Sequence, residues 1–136
     1  MPMLPSHDPA MVLRTDFSDE PGWAAVRDAL VAPSEDGFKA IVQLVEDRGL
    51  ADLTVGELLA LVPPDSDHTF LLVVDRITLT TPGSPLLVVD VVGAPGASFR
   101  TVPGEVHAIE ANLSIANLDF EDFAGAVGDD GVFRGF

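Results

Sequence analysis

Three short apolar runs in this chain end at an aspartate, and these carboxylates are its best candidates for chemistry. The runs end at Asp16, Asp75 and Asp90, and the last two, over residues 70–75 and 86–90, are near-copies of each other. Runs this short and this rich in valine and leucine predict buried strands. Open α/β sheets bind ligands beyond the carboxyl ends of their strands. Carboxylates in that position could bind a metal ion or act as an acid–base pair.

The connection between the second and third runs leaves two topologies open. Residues 76–85 are at the limit for a parallel crossover, which usually needs about a dozen residues or more. If they instead form a hairpin centred on Pro82 and Gly83, Asp75 lies opposite Asp90. Like charges at facing positions destabilise a sheet, and one of the two pKa values rises unless a cation or metal intervenes. If they form a crossover, both carboxylates lie at one edge of the sheet beside Asp16.

A structural role for the same aspartates is the simpler interpretation. Aspartate often ends a strand because its carboxylate hydrogen-bonds the backbone of the following turn. The chain has fifteen aspartates, so three such positions are not rare. Arg14 and Arg76, which are also candidate binding residues, are at hand to neutralise them. The sequence therefore favours turn-capping aspartates over a catalytic site. It implies no metal and no cofactor, and Asp75 and Asp90 are the candidate ligands if a metal is bound.

The remaining polar candidates are few. His68 follows an acidic stretch and could be a ligand or a base, although a loop histidine is the simpler interpretation. Asn112 and Asn117 interrupt an apolar helical pattern, which predicts either helix caps or a polar pocket for a partner. Arg134, in the closing segment, is a further candidate for binding. The sequence has no nucleophile elbow, glycine-rich phosphate loop or zinc-binding histidine pair, which argues against a nucleotide-dependent enzyme.

The hydrophobic pattern predicts the scaffold that positions these residues. Residues 11–136 are predicted to form one α/β or α+β domain, after a flexible arm over residues 1–10. The predicted order is β-α-β-α-β-β-β-α-α, with a mixed sheet of about five strands and helices packed against it. The predicted strands cover residues 11–16, 38–45, 70–75, 86–92 and 98–102, the last one antiparallel, and helices precede Pro33 and cover 54–62, 103–113 and 120–127.

Two helices carry the clearest local signals. Residues 54–57 match a capping box and predict a helix over 54–62, which two prolines end. Three apolar residues at helical spacing predict one buried stripe on the first helix: Trp23, Val26 and Leu30. The two phenylalanines of residues 131–136 predict a tail that docks on the domain.

The charge of the chain excludes several classes of function. Twenty-two acidic residues against seven basic ones give a formal net charge of −15. Such a surface repels nucleic acid and anionic lipid, and it favours either simple solubility or a basic protein partner. The absence of cysteine excludes disulfides and thiolate catalysis. With no signal-peptide pattern and no apolar run of about 18 residues, we expect a cytoplasmic protein without a membrane partner, as a monomer or small homo-oligomer.

Four segments together resemble a known family. They read LRTDF at 13–17, PLLVVD at 85–90, NLSIANLDFEDF at 112–123 and GVFRGF at 131–136. In these segments the chain is similar to a family of small acidic proteins of high-GC Gram-positive bacteria, which is known only as a domain of unknown function. The resemblance covers nearly the whole chain after the arm. It implies a single α/β domain and no activity, cofactor or catalytic residue.

Two hypotheses of function follow. The first is a non-catalytic interaction protein of the immunity, inhibitor or accessory kind, which would cover a basic site on its partner. The alternative is a small enzyme or metal-dependent accessory protein that uses Asp16, Asp75 and Asp90, with His68. Because no catalytic motif accompanies the high charge, the sequence favours the interaction protein.

Overall fold

A computed structural model of the chain describes residues 4–5, 9–33, 37, 39–114 and 118–136. The strands in these residues are β1 (Ala10–Arg14), β2 (Val42–Val45), β3 (Phe70–Val74), β4 (Leu86–Asp90), β5 (Ser98–Thr101) and β6 (Val132–Phe133). The helices are α1 (Glu20–Val31), α2 (Val55–Ala60), α3 (Arg76–Thr80), α4 (Val106–Ser114) and α5 (Phe120–Ala124). Within the described part of the chain, no helix has the length and apolar character to cross a membrane.

The six strands form one mixed sheet in the order β2-β1-β3-β4-β5-β6. β1 pairs in parallel with both β2 and β3, β4 runs antiparallel to β3 and β5, and β6 is parallel to β5. The predicted α/β class with a mixed sheet is confirmed. The structure adds two short elements that the sequence did not predict, α3 and β6.

Each face of the sheet carries its own apolar cluster, because successive side chains of a strand point to opposite faces. On one face, alternate residues of the central strands pack against α1, α4 and α5, and the predicted stripe of α1 is confirmed with every member about 1% exposed. On the other face, the intervening residues pack against Leu50 and Leu58. β1 and β3 are therefore buried on both faces, as expected for strands inside a covered sheet.

A group of phenylalanines attaches the carboxy-terminal segment to the domain. Phe133 is fully buried, and its ring lies 5.2 Å from that of Phe123 and 6.5 Å from that of Phe99, measured between centroids. The ring of Phe136 contacts those of Phe123 and Phe133 at 5.3 and 5.1 Å, although most of Phe136 is exposed. The prediction that residues 131–136 dock is confirmed, and β6 extends the sheet by pairing with β5.

The local signals of the helices are confirmed with shorter bounds. The hydroxyl of Thr54 accepts a hydrogen bond from the Glu57 amide at 3.2 Å, and the Glu57 carboxylate accepts one from the Thr54 amide at 3.0 Å. These reciprocal bonds start α2, which ends at Ala60 instead of residue 62. Likewise α5 ends at Ala124 instead of residue 127. In the predicted strand 38–45, the described strand begins at Val42, and Phe38 lies outside the described residues.

The connection from β3 to β4 confirms the antiparallel arrangement of the hairpin alternative, but it contradicts the predicted register and the parallel crossover. Its first half forms α3, and β4 then returns antiparallel to β3 with Phe70 opposite Asp90 and Val73 opposite Leu87. Asp75 therefore does not face Asp90, and no parallel crossover joins these strands. Because the helix takes up half of the connection, the pairing of β3 with β4 differs by five residues from that of the predicted hairpin. Asp75 and Asp90 therefore lie at opposite edges of the sheet, roughly 17 Å apart along the strand direction.

One residue of the predicted amino-terminal arm lies in the core. Leu4 is 2% exposed and packs in the same cluster as Met11 and Leu61. Its backbone amide donates a hydrogen bond to the carbonyl of Leu61 at 3.4 Å. β1 also begins at Ala10, one residue before the predicted start. The part of this segment that is described is thus held against the domain.

Candidate functional site

The ends of β1 and β3 form the edge at which an α/β domain most often binds ligands. β1 lies between β2 and β3 in the sheet. The connection after β1 therefore leads to β2 on one side, whereas the connection after β3 leads to β4 on the other side. Ligand sites of open α/β sheets lie where successive connections diverge in this way. Asp16 and Asp75 follow these two strands, and the edge they define is called the carboxyl edge below. Two of the three predicted carboxylates share it, while Asp90 lies at the opposite edge.

Asp16 is a turn cap. It is 7% exposed, and its Oδ1 accepts hydrogen bonds from the backbone amide of Ser18 at 2.8 Å and from the Ser18 hydroxyl at 2.5 Å. These two bonds lower the pKa of Asp16, burial opposes them, and the nearby charges of Arg76 and Arg14 lower it further. The carboxylate is thus kept ionised and committed to the turn that starts α1.

Arg14 anchors the same connection from inside the domain. It is 3% exposed, and its Nε donates to the carbonyl oxygen of Asp16 at 3.0 Å while Nη2 donates to Glu20 Oε1 at 2.8 Å. The hydrogen bond from Arg14 is the main reason that the pKa of Glu20 is lowered. The guanidinium also lies over the rings of Phe17 and Trp23, 4.4 and 5.1 Å from their centroids. Arg14, a predicted binding residue, is therefore engaged by its own loop.

Asp75 has two structural partners. Its Oδ1 accepts a hydrogen bond from the Thr78 amide at 3.0 Å, which caps α3. Arg100 of β5 binds it in a bidentate pair, with Nη1 to Oδ1 at 3.0 Å and Nη2 to Oδ2 at 2.8 Å. Burial raises the pKa of Asp75, but the bonds from Arg100 and Thr78 outweigh burial and lower it overall. The predicted neutraliser Arg76 is exposed and acts on Asp16 instead.

The Arg100 contact was missed by the sequence interpretation because it depends on strand register. Arg100 pairs with Leu87 across β4 and β5, and β5 runs in the same direction as β3. A long side chain at the end of β5 can therefore cross the start of β4 and reach Asp75, where its Nη1 also donates to the carbonyl of Pro85 at 3.1 Å. The signal for the α3 cap was present, because Asp75 and Thr78 have capping-box spacing.

Asp90 holds the loop that follows β4. Its side chain is 5% exposed and accepts hydrogen bonds from three successive backbone amides, those of Val92 at 3.2 Å, Gly93 at 3.3 Å and Ala94 at 2.7 Å. This is the turn-capping behaviour expected of aspartate at the end of a strand. The carboxylate fixes the path of the chain away from the sheet.

The three carboxylates therefore do not converge. Asp75 and Asp90, the predicted metal candidates, cap separate turns at opposite edges of the sheet. Across the described ranges, no group of three or more histidine, aspartate or glutamate side chains is arranged to hold a metal ion. The arrangement explains the three aspartates as structural caps.

His68 lies away from the carboxyl edge, two residues before the start of β3. It is 4% exposed, its backbone amide donates to Ser66 Oγ at 3.1 Å, and its ring Nε2 is buried without a hydrogen-bond partner from the described residues. An unsatisfied buried polar atom costs about 1–3 kcal/mol. His68 thus lies in the loop before β3 as expected, but its side chain is buried and does not adjoin Asp16 or Asp75.

The predicted binding residues of the carboxy-terminal third have local partners. Asn112 Nδ2 donates to the carbonyl of Ala108, one turn earlier in α4, at 2.7 Å. Arg134 forms an ion pair with Asp130 at 2.7 Å, which lowers the pKa of Asp130, and both side chains are more than half exposed. Exposed pairs of this kind contribute little stability. Asn117 lies outside the described residues.

Positive charge is concentrated at the carboxyl edge. Arg14 and Arg76 act on Asp16, Arg48 lies over the ring of Phe17 at 5.0 Å, and Arg100 pairs with Asp75. By contrast, residues 105–136 contain seven carboxylates and one basic residue, Arg134, when histidine is neutral. Four of the seven basic residues of the chain thus lie at the carboxyl edge, whereas residues 105–136 carry a net charge of −6 from seven carboxylates and one arginine.

The fold and this edge define a small mixed α/β domain whose strand-end carboxylates serve its turns. Residues 9–136 match the family model of a domain of unknown function, DUF6924. The chain therefore belongs to the DUF6924 family, and its resemblance to a domain of unknown function is confirmed. No match to the chain was found among curated proteins.

Proposed function

We propose that the protein is a non-catalytic interaction module that binds a basic protein partner, as an immunity, inhibitor or accessory protein does. The supporting observation is the net charge of −15, of which −6 falls in residues 105–136. Complementary charge speeds the encounter of two proteins and suppresses wrong partners. A basic site on a partner protein, such as a substrate cleft or a nucleic-acid-binding surface, would attract this acidic surface.

The alternative of an enzyme with a strand-end carboxylate site has less support. Such a site needs carboxylates that share a pocket, whereas Asp75 and Asp90 occupy opposite edges of the sheet. Asp16 and Asp75 share an edge, yet each is engaged, the first by Ser18 and the second by Arg100 and Thr78. These contacts favour the interaction module over the enzyme.

The proposed interaction takes place in the cytoplasm and involves neither nucleic acid nor a membrane. Nucleic acid and anionic membranes both carry negative charge, so they repel a chain with a net charge of −15. We propose that the unbound protein is a monomer or a small homo-oligomer, and the repulsion between two acidic copies favours the monomer.

A pull-down at two salt concentrations tests the proposal. The full-length chain is immobilised and exposed to lysate of the organism that encodes it, at about 50 and about 300 mM NaCl, because salt screens charge attraction over these distances. We expect a basic protein that is retained at low salt and released at high salt, and that an unrelated acidic domain of equal size and charge does not retain. Recovery of no basic protein, or of one whose retention ignores salt, would contradict the proposal.

A further inference from the structure

A groove of about 270 Å³ opens at the edge of the sheet opposite the carboxyl edge. It lies between the end of β4 and the helices α4 and α5. Its apolar lining comes from Val92, Leu113, Leu118 and Phe120, and its polar lining includes Thr69 and Asp90. Two exposed carboxylates on its rim, Asp119 and Glu121, belong to the start of α5 and its cap.

The size of this groove decides what class of occupant it suits. Pockets for cofactors and drug-sized ligands usually measure about 300–1,000 Å³ and enclose most of the ligand. This groove lies below that range and is open to solvent, so it suits one or two apolar side chains of a polypeptide better than a cofactor. The bulk of such a segment would remain outside, over the rim.

One lip of the groove is an exposed valine on a loop that Asp90 holds in place. Val92 is 64% exposed, and its backbone amide donates to Asp90 Oδ1 at 3.2 Å. The next two amides donate to the same carboxylate, so the loop is fixed before any partner binds. A pre-ordered contact loses less conformational freedom on binding. Asp90 is therefore a positioning residue for this surface.

The charge of the groove selects a basic occupant. None of the described residues that line it is a cation, whereas Asp90, Asp119 and Glu121 all line it. Arg134, the basic residue of the carboxy-terminal third, is paired with Asp130. A second copy of the chain would bring a further −15 against this rim, which disfavours self-association here.

We propose that this groove docks a basic polypeptide segment of the partner. An apolar side chain of the segment inserts between Val92 and Phe120, and flanking lysine or arginine side chains face Asp119 and Glu121. This inference rests on the proposed function and assigns it a surface.

Two synthetic peptides labelled with fluorescein test this surface, with the full-length chain as the receptor. The first, KRKFLKRK, carries apolar anchors between cations, and the second, KRKAAKRK, has the same charge without them. Fluorescence anisotropy at low salt gives the Kd of each. We expect the first peptide to bind at least about fivefold more tightly, since burial of the anchors adds to the shared charge attraction.

Matched variants locate the binding. Val92→Ser removes the apolar lip, and Ile41→Ser is its control because Ile41 is equally exposed, at 65%, outside the groove. Glu121→Gln removes one rim charge, and Asp28→Asn on α1 removes an exposed charge elsewhere. We expect each groove variant to raise the Kd of the first peptide about fivefold and each control to change it less than about twofold. Amide resonances of Val92, Gly93 and Glu121 should shift on titration.

The outcomes separate this inference from the proposed function. If both peptides bind with equal affinity, or if groove and control variants weaken binding alike, the acidic surface attracts basic segments without a groove and the inference is overturned. If neither peptide binds at low salt, the groove is also excluded. The salt-dependent pull-down uses neither the peptides nor the groove variants, so it tests the proposed function independently of this inference.

Discussion

The pair of Asp75 and Arg100 gives the sharpest test of the claim that the strand-end carboxylates are structural. Asp75→Ala removes both the cap of α3 and the ion pair, whereas Asp75→Asn keeps a side chain that caps helices well and removes only the charge. Arg100→Met keeps the apolar stem and removes the guanidinium. Comparing the three variants separates the cap from the pair.

The magnitudes follow from exposure and geometry. The side chains of Arg100 and Asp75 are 18% and 27% exposed, so their bidentate pair lies between an exposed ion pair and a buried one. We assign about 1.5 kcal/mol to the pair and about 1 kcal/mol to the cap. Asp75→Ala should then lower the free energy of unfolding by about 2.5 kcal/mol, and Asp75→Asn and Arg100→Met by about 1.5 kcal/mol each.

Urea unfolding followed by fluorescence measures these values, because the single tryptophan, Trp23, is 1% exposed and reports on the core. The double variant Asp75→Asn with Arg100→Met should lose about 1.5 kcal/mol, not the additive 3 kcal/mol, because both changes remove one interaction. Additive losses in the double variant would refute the assigned pair.

The pH dependence of the same comparison has a definite sign. The folded-state pKa of Asp75 is lowered, so its charge stabilises the fold above the unfolded-state pKa, and this stability is lost as the pH falls through the folded-state value. The advantage of the native chain over Asp75→Asn should therefore be constant from about pH 7 to 5 and decrease below about pH 4. An advantage that grew on acidification would contradict the assignment.

Three further predictions concern single side chains and are read out by the same urea unfolding. Asp90→Ala should cost about 2 kcal/mol, because three backbone amides lose a nearly buried acceptor, and a cost below about 0.5 kcal/mol would contradict its role in the loop. His68→Leu should leave the free energy of unfolding unchanged or raise it by up to about 1 kcal/mol, because it removes the buried Nε2, which has no hydrogen-bond partner among the described residues. A loss above about 2 kcal/mol would show that this nitrogen does have a partner. Thr54→Ala should cost about 1 kcal/mol through the capping box of α2, while Thr80→Ala, at an exposed position late in α3, is the control.

The elements predicted correctly are those whose signals are local. The capping box of Thr54 and Glu57 and the stripe of α1 depend on residues three or four apart, so the sequence alone identifies them. The buried strands are also local in this sense, because their apolar character is continuous. Fold class followed from the order of these elements.

The features that were missed depend on contacts between distant parts of the chain. The register of β3 and β4 follows from how many residues α3 takes from the connection, and the contact of Arg100 with Asp75 follows from that register. The burial of His68 depends on the segments that cover it, which periodicity does not reveal. The three aspartates looked like one site because each follows a short apolar run. In the structure each of them instead accepts hydrogen bonds from the backbone that follows its own strand.

The salt dependence of one Kd tests the central claim most directly. The basic partner recovered by the pull-down is purified, and its Kd for the chain is measured from about 50 to about 300 mM NaCl. We predict that the Kd rises at least about tenfold over this range, and that Asp75→Asn leaves it unchanged because Asp75 is engaged with Arg100 and Thr78. A Kd that ignores salt, or binding that is lost with Asp75→Asn while the fold is intact, would contradict the account.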